Sequence, residues 1–202
     1  MHLGQKLEMV KSLQETRLTC RTYTSDQVLL VAAAQTERNG LATEIAYSAG
    51  LRAHELLTLQ RVEERGPSIH RGWNADRFSG RDGVRYTVQG KGGLVREVMI
   101  PRNLADRLEA RRLSEPIRVT DRGIHYQQRY NVSGGNRWSA SFTEASKRTL
   151  GWSRGAHGLR HSYAQERMAE LQRSGKMYED AKETVAQEVG HFNKETTEAY
   201  LR

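Results

Sequence analysis

The chain has 202 residues, enough for one sizeable core with a short arm to spare. Its 32 Lys and Arg against 24 Asp and Glu leave a formal net charge of +8, which favours a polyanionic partner such as nucleic acid over a neutral one. A single cysteine, Cys20, excludes an internal disulfide, no apolar run approaches the roughly 18 residues of a membrane span, and no signal-peptide pattern opens the chain, so a cytoplasmic protein without a membrane partner is expected.

In chain order, residues 1–24 are polar and weakly patterned, which predicts a linker or N-terminal arm. Thr24-Ser25-Asp26 is a helix start before the apolar run Val28 to Ala34, and Asn39-Gly40 is expected to punctuate it. A second helix is expected over Leu41–Ser48 and, after Gly50, a third over Arg52–Gln60 with Leu56, Leu57 and Leu59 turned inward. Residues 63–82 carry many charges and glycines and read as irregular and exposed. Val84–Val88 and Leu94–Ile100 alternate like strands around Gln89-Gly90-Lys91-Gly92-Gly93, the pattern of a β-hairpin.

Beyond Pro101, leucines at helical spacing predict a helix over Asn103–Leu113. Ile117–Val119 and Ile124–Tyr126 suit short strands in an insert, residues 114–138, whose arginines and tyrosines fit contact with phosphates and bases. Helices are expected again over Ser139–Leu150, His157–Arg173 and Tyr178–Val189, with Asn193 capping a last one that carries Thr196, Thr197 and Tyr200. The expected fold class is therefore mainly α with a small antiparallel β-sheet, an α+β arrangement.

Five places hold side chains suited to phosphate chemistry. Arg52 follows Ala49-Gly50-Leu51, and Lys91 sits at the tip of the glycine-rich hairpin. His157 and Arg160, three apart, share a helix face, so a proton-transfer group lies beside a fork-shaped cation. His191 follows Gly190 at a helix end, and Tyr200 lies nine residues further on. His157 and His161 are four apart, but the residue after His157 is Gly158, where the zincin motif needs Glu, so no metal is expected.

In this order and spacing, Ala49-Gly50-Leu51-Arg52-Ala53-His54-Glu55-Leu56, Gly90-Lys91-Gly92-Gly93, His157-Gly158-Leu159-Arg160-His161 and Val189-Gly190-His191 through Tyr200 resemble the catalytic domain of the tyrosine recombinases, the phage-integrase family. The resemblance spans residues 25–202 and implies the tyrosine recombinase catalytic-domain fold. It also implies a site-specific recombinase that cleaves and rejoins double-stranded DNA through a 3′-phosphotyrosine intermediate, inserting or excising a mobile element or prophage. Tyr200 would be the nucleophile, and Arg52 and Arg160 would hold the non-bridging oxygens. His157 would accept or relay the phenolic proton, Lys91 would protonate the departing 5′ oxygen, and His191 would hydrogen-bond the phosphate.

The same resemblance implies no cofactor and a homo-tetramer on DNA that is a monomer alone, with accessory DNA-bending proteins as possible partners. The family's separate N-terminal DNA-clamping domain, and its tail beyond the tyrosine, are expected to be missing from this chain. Glu55 would support a catalytic base, His161 would serve a structural hydrogen bond, His54 would lie on the surface, and Tyr163 and Tyr178 compete only weakly with Tyr200. Two other readings stand beside this one: a type IB topoisomerase-like enzyme and a DNA-binding remnant without catalysis.

Overall fold

The computed structural model describes residues 21–192 and 197–201. The expected cap at Asn193, with Thr196, and residues 1–20 with Cys20 lie outside the described residues. Helix α1 (Ser25–Ala33) begins with a capping box: the Thr24 hydroxyl accepts from the Gln27 amide, and the Gln27 side chain accepts from the Thr24 amide. Packing reaches back beyond this cap, because Tyr23 is buried and stacks on Trp152 at 5.1 Å.

Helix α2 (Glu37–Ala49) runs through Asn39-Gly40, where a break was expected. The pair serves packing instead. A Cβ at Gly40 would stand 2.7 Å from the Ala32 carbonyl oxygen, so glycine is what lets α1 and α2 approach, and Asn39 donates to the Ser141 hydroxyl. The helix expected over Arg52–Gln60 shrinks to one 3₁₀ turn, Glu55–Thr58. Glu55 Oε2 takes the Arg52 backbone N–H at 2.8 Å, a side-chain bond that replaces a helical start. Leu56, Leu57 and Leu59 are buried as expected.

A three-stranded antiparallel sheet follows, in the order β1 (Gln60–Arg61), β2 (Val84–Gln89), β3 (Val95–Ile100). Its hairpin has the expected register, Gln89 opposite Val95, with a 3₁₀ turn over Lys91–Gly93 at the tip. Between β1 and β2 the chain is irregular, as expected, yet it is not all exposed. Arg77 and Phe78 are buried, and this stretch grips the later helices: the Asn74 amide donates to Gln187 and the Phe78 amide to Glu188.

Helix α3 (Arg102–Glu109) stops short of the expected Leu113 because Arg112 and Leu113 open β4 (Arg112–Asp121), where Arg112 pairs with Tyr130. Strand β5 (Ile124–Tyr130) completes a second, two-stranded sheet, so the small sheet expected from sequence becomes two. The register shifts between Arg112 and Ile117, around Pro116, which has no N–H to give to a ladder.

Helices α4 (Gly135–Leu150), α5 (His157–Arg173) and α6 (Tyr178–Glu188) follow. The main core joins Leu41 and Ile45 of α2, Val98 and Ile100 of β3, Trp138 and Phe142 of α4, and Leu159 of α5. A smaller cluster of Ala164, Met168, Leu171, Ala181 and Val185 receives the ring of Tyr200. None of the described helices is long and apolar enough to cross a membrane.

Candidate active site

Arg52 leaves the end of α2, Lys91 projects from the hairpin tip, His157 and Arg160 open α5, and His191 follows α6. The fold brings these segments to one face. A cavity of about 250 Å³ is lined by Arg52, Glu55, Lys91, Arg96, Gly190 and His191. It adjoins a groove of about 880 Å³ between the two hairpins, lined among others by Arg52, His54, Lys91, Arg122, Tyr126 and Arg129. Tyr200 lies over the Arg160 guanidinium, 5.4 Å from ring centre to Cζ. Three imidazoles surround its ring, with centroids at 4.7 Å (His161), 5.5 Å (His157) and 5.6 Å (His191).

Beneath these side chains lies a buried ionic cluster. The Glu55 carboxylate, fully buried, receives Arg52 Nη1 at 2.8 Å and Arg96 Nη2 at 2.8 Å, with Arg160 Nη1 at 3.8 Å. Burial alone would raise the Glu55 pKa. Arg96, Arg160, Arg52 and the Arg52 backbone N–H outweigh it and hold the carboxyl far below the usual carboxylate range. Glu55 was expected to support a catalytic base, but its partners are arginines. Three guanidinium charges against one carboxylate leave two positive charges for a ligand to meet.

Arg160 is fully buried and donates to the carbonyls of Gly50, at 2.6 Å, and Val189. Burial pulls its pKa down to about 10, against the pull of Glu55, so it stays charged at neutral pH. Lys91 is exposed at the hairpin tip, next to Gly90 and Gly92. No hydrogen bond or ion pair holds its ammonium among the described residues.

The fold as a whole has counterparts among solved structures. No family model matches the sequence, and no curated protein matches it. Among solved structures, the XerA recombinase superposes with a TM-score of 0.56 at 16% identity, over 96% of this chain and 62% of that one. The XerH site-specific recombinase bound to palindromic difH substrate, in its post-cleavage complex, gives 0.54 at 17% identity over 96% and 52%. The Tn1549 transposon integrase in complex with a circular intermediate DNA gives 0.53 at 12% identity over 94% and 64%. The fold is that of the tyrosine recombinases. The chain spans 52% to 64% of the length of these three proteins.

Within this recombinase fold, His191 has a defined tautomer. Arg52 Nη2 lies 3.1 Å from His191 Nε2, and a guanidinium can only donate, so Nε2 is the acceptor and Nδ1 carries the proton. Partial burial, then Arg160, Arg52 and Arg96, pushes the His191 pKa down to about 4. Partial burial, then Arg160 and His161, brings His157 to about 4 as well. Both rings are therefore neutral at pH 7. His54 and His161 are also lowered, chiefly by burial.

This recombinase fold should consequently lose stability in acid before its carboxylates titrate. An imidazole whose folded pKa lies below its ordinary value of about 6.5 contributes stability that is complete above that value. The contribution is lost as pH falls through the folded pKa, here towards about 4. Melting temperature measured at constant ionic strength should fall across this window, and less so in a His157→Gln/His191→Gln double variant. A flat profile down to pH 5 would contradict the assignment.

Other sequence expectations resolve in structural terms. His54, expected on the surface, is half-buried and stacks near Tyr126 at 6.3 Å. Tyr163 is buried with its hydroxyl donating to Glu188 at 2.8 Å, while Tyr178 is exposed. His161 is buried against Tyr200. The residue that sequence reasoning missed is Arg96. Its signal was available: Arg96, Val98 and Ile100 alternate along β3, so a charged side chain occupies the core-facing set.

Proposed function

We propose that this chain cleaves and rejoins duplex DNA through Tyr200, as the catalytic part, residues 25–202, of a site-specific recombinase acting on a mobile element or prophage. The observation that carries the reading is the phenol lying over Arg160 beside a pocket with two uncompensated positive charges. In a phosphodiester attacked by a phenol oxygen, a second negative charge develops on the phosphorus oxygens, and fixed cations stabilise that charge.

The proposed reaction balances within these groups. The Tyr200 oxygen attacks phosphorus, a phosphorus–phenol oxygen bond forms, and the bond to the 5′ oxygen breaks. His157, neutral at pH 7, accepts the phenolic proton. Lys91, free to move on its glycine-flanked tip, gives a proton to the departing 5′ oxygen. Arg52 and Arg160 hold the non-bridging oxygens. His191 offers its Nδ1–H. Attack of the 5′ hydroxyl of another strand on the phosphotyrosine reverses every step, so bond energy is conserved. Assembly of four copies on two duplexes, a cytoplasmic location and help from DNA-bending proteins belong to the same proposal.

The test is incubation with a pool of nicked duplexes with randomised cores, in the presence of EDTA. A covalent adduct that withstands denaturation and is selective for sequence is expected. No adduct from any duplex would leave a DNA-binding protein without catalysis, and an adduct that needs a divalent metal would overturn the mechanism. Binding itself should be strongly salt-dependent, because each neutralised phosphate releases counterions. With about six or more phosphate contacts, affinity for a short duplex should fall roughly 1,000-fold between 50 and 200 mM salt. A salt-independent affinity would count against a backbone-tracking surface.

A further inference from the structure

Arg96 is one of the largest fully buried side chains in the protein, at 1% exposure, and none of the proposed steps uses it. It sits on the core face of β3, where apolar residues continue the strand in both structure and pattern. Burying a guanidinium there is unfavourable unless it is paired, and an apolar side chain of similar volume is often as stable. Its contacts give the reason for its presence. Nη1 donates to the Glu188 carbonyl at 2.6 Å, at the end of α6. Nη2 donates to Glu55 Oε2 at 2.8 Å and lies 3.4 Å from the Gly50 carbonyl, at the end of α2.

The neighbouring backbone is shaped around this side chain. Gly190, the residue before His191, has φ +74°, and a Cβ there would stand 2.8 Å from Arg96 Cδ. The segment that carries His191 therefore turns directly over the Arg96 stem. One side chain thus touches the two main-chain ends that lead into Arg52 and His191, together with the carboxylate that holds Arg52.

We propose that Arg96 is a positioning residue of the phosphate pocket, a buried clamp that fixes Arg52, Glu55 and His191 relative to one another. It acts through these groups and touches no reacting atom. The proposal rests on the DNA-cleavage reading for its effect on rate, but not for its effect on His191. Misplacing a pocket by about 1 Å can cost about 100-fold in rate while leaving ground-state binding nearly intact.

Two variants test this, Arg96→Met and Arg96→Lys, each in the full chain. Single-turnover adduct formation on a nicked duplex should fall roughly 100-fold in Arg96→Met, with DNA affinity within about threefold of the parent. Arg96→Lys, which keeps the charge but cannot span three acceptors, should fall between the two. In DNA-free protein carrying ¹⁵N-labelled histidine, the parent should show His191 as the Nδ1–H tautomer, and Arg96→Met a mixture of tautomers. A residue that only stabilised the fold would lower the melting temperature and leave both tautomer and rate unchanged, which would overturn the proposal. If the parent forms no adduct at all, the DNA-cleavage reading fails, and the His191 tautomer still decides whether Arg96 positions the pocket. Should Arg96→Met fail to fold, Arg96→Lys carries both readouts, and a parental rate with a parental tautomer sinks the clamp.

Discussion

Replacing Tyr200 with phenylalanine is expected to abolish covalent attachment to DNA, while the protein stays folded and still binds the duplex. Tyr200 belongs to the cluster that holds Ala164, Met168 and Leu171, and its ring lies over Arg160. Phenylalanine keeps that ring and deletes only the oxygen. Loss of one hydroxyl is worth on the order of 1 kcal/mol, which moves the melting temperature by only about 2–4 °C in a domain of this size. Removing a covalent nucleophile, by contrast, costs on the order of a million-fold in rate. The measurement is adduct yield on a denaturing gel, beside Tyr163→Phe and Tyr178→Phe. Tyr178→Phe should be silent, since that side chain is exposed. Tyr163→Phe should keep the chemistry but destabilise by about 1–3 kcal/mol, because the buried Glu188 loses a donor. An adduct that persists in Tyr200→Phe and vanishes in either of the others would reassign the nucleophile.

The second large effect is on stability and falls on Glu55. Glu55→Gln keeps the shape and removes the one carboxylate that Arg52, Arg96 and Arg160 share. Breaking a buried ion pair from one side costs about 3–5 kcal/mol, because charge is left without compensation. Melting temperature should fall by roughly 6–20 °C, at about 2–4 °C per kcal/mol. Added inorganic phosphate should recover more of the loss in the variant than it adds to the parent, since an anion in the pocket replaces the missing charge. A Glu55→Gln protein as stable as the parent would show that the three guanidiniums are held by something else.

Part of this was legible before any coordinates. The helix expected over His157–Arg173 and the glycine-flanked hairpin around Lys91 rest on local patterns, and local patterns survive into the structure. The order of Arg52, Lys91, His157, Arg160, His191 and Tyr200 along the chain carried the resemblance, and the fold brings them to one face. What failed did so where distant segments decide. Asn39-Gly40 reads as a turn, but the Ala32 carbonyl pressing on Gly40 makes it a helix crossing. Arg52–Gln60 has a helical pattern, but Glu55 turns its carboxylate back on the Arg52 amide and inward to the arginines. The partners of Glu55 lie 3, 41 and 105 positions along the chain, and no window of sequence contains them all.

The carbonyls of Gly50, Glu188 and Val189 hold Arg96 and Arg160 from the ends of two helices. The negative end of a helix is a property of its backbone and not of any one side chain. A substitution can delete Glu55, but none can delete these oxygens, and no proton in the working pH range neutralises them. The arginines are thus anchored by atoms that mutation does not reach. As long as α2 and α6 end where they do, these oxygens stay in place for Arg96 and Arg160 even in a variant that lacks the Glu55 carboxylate.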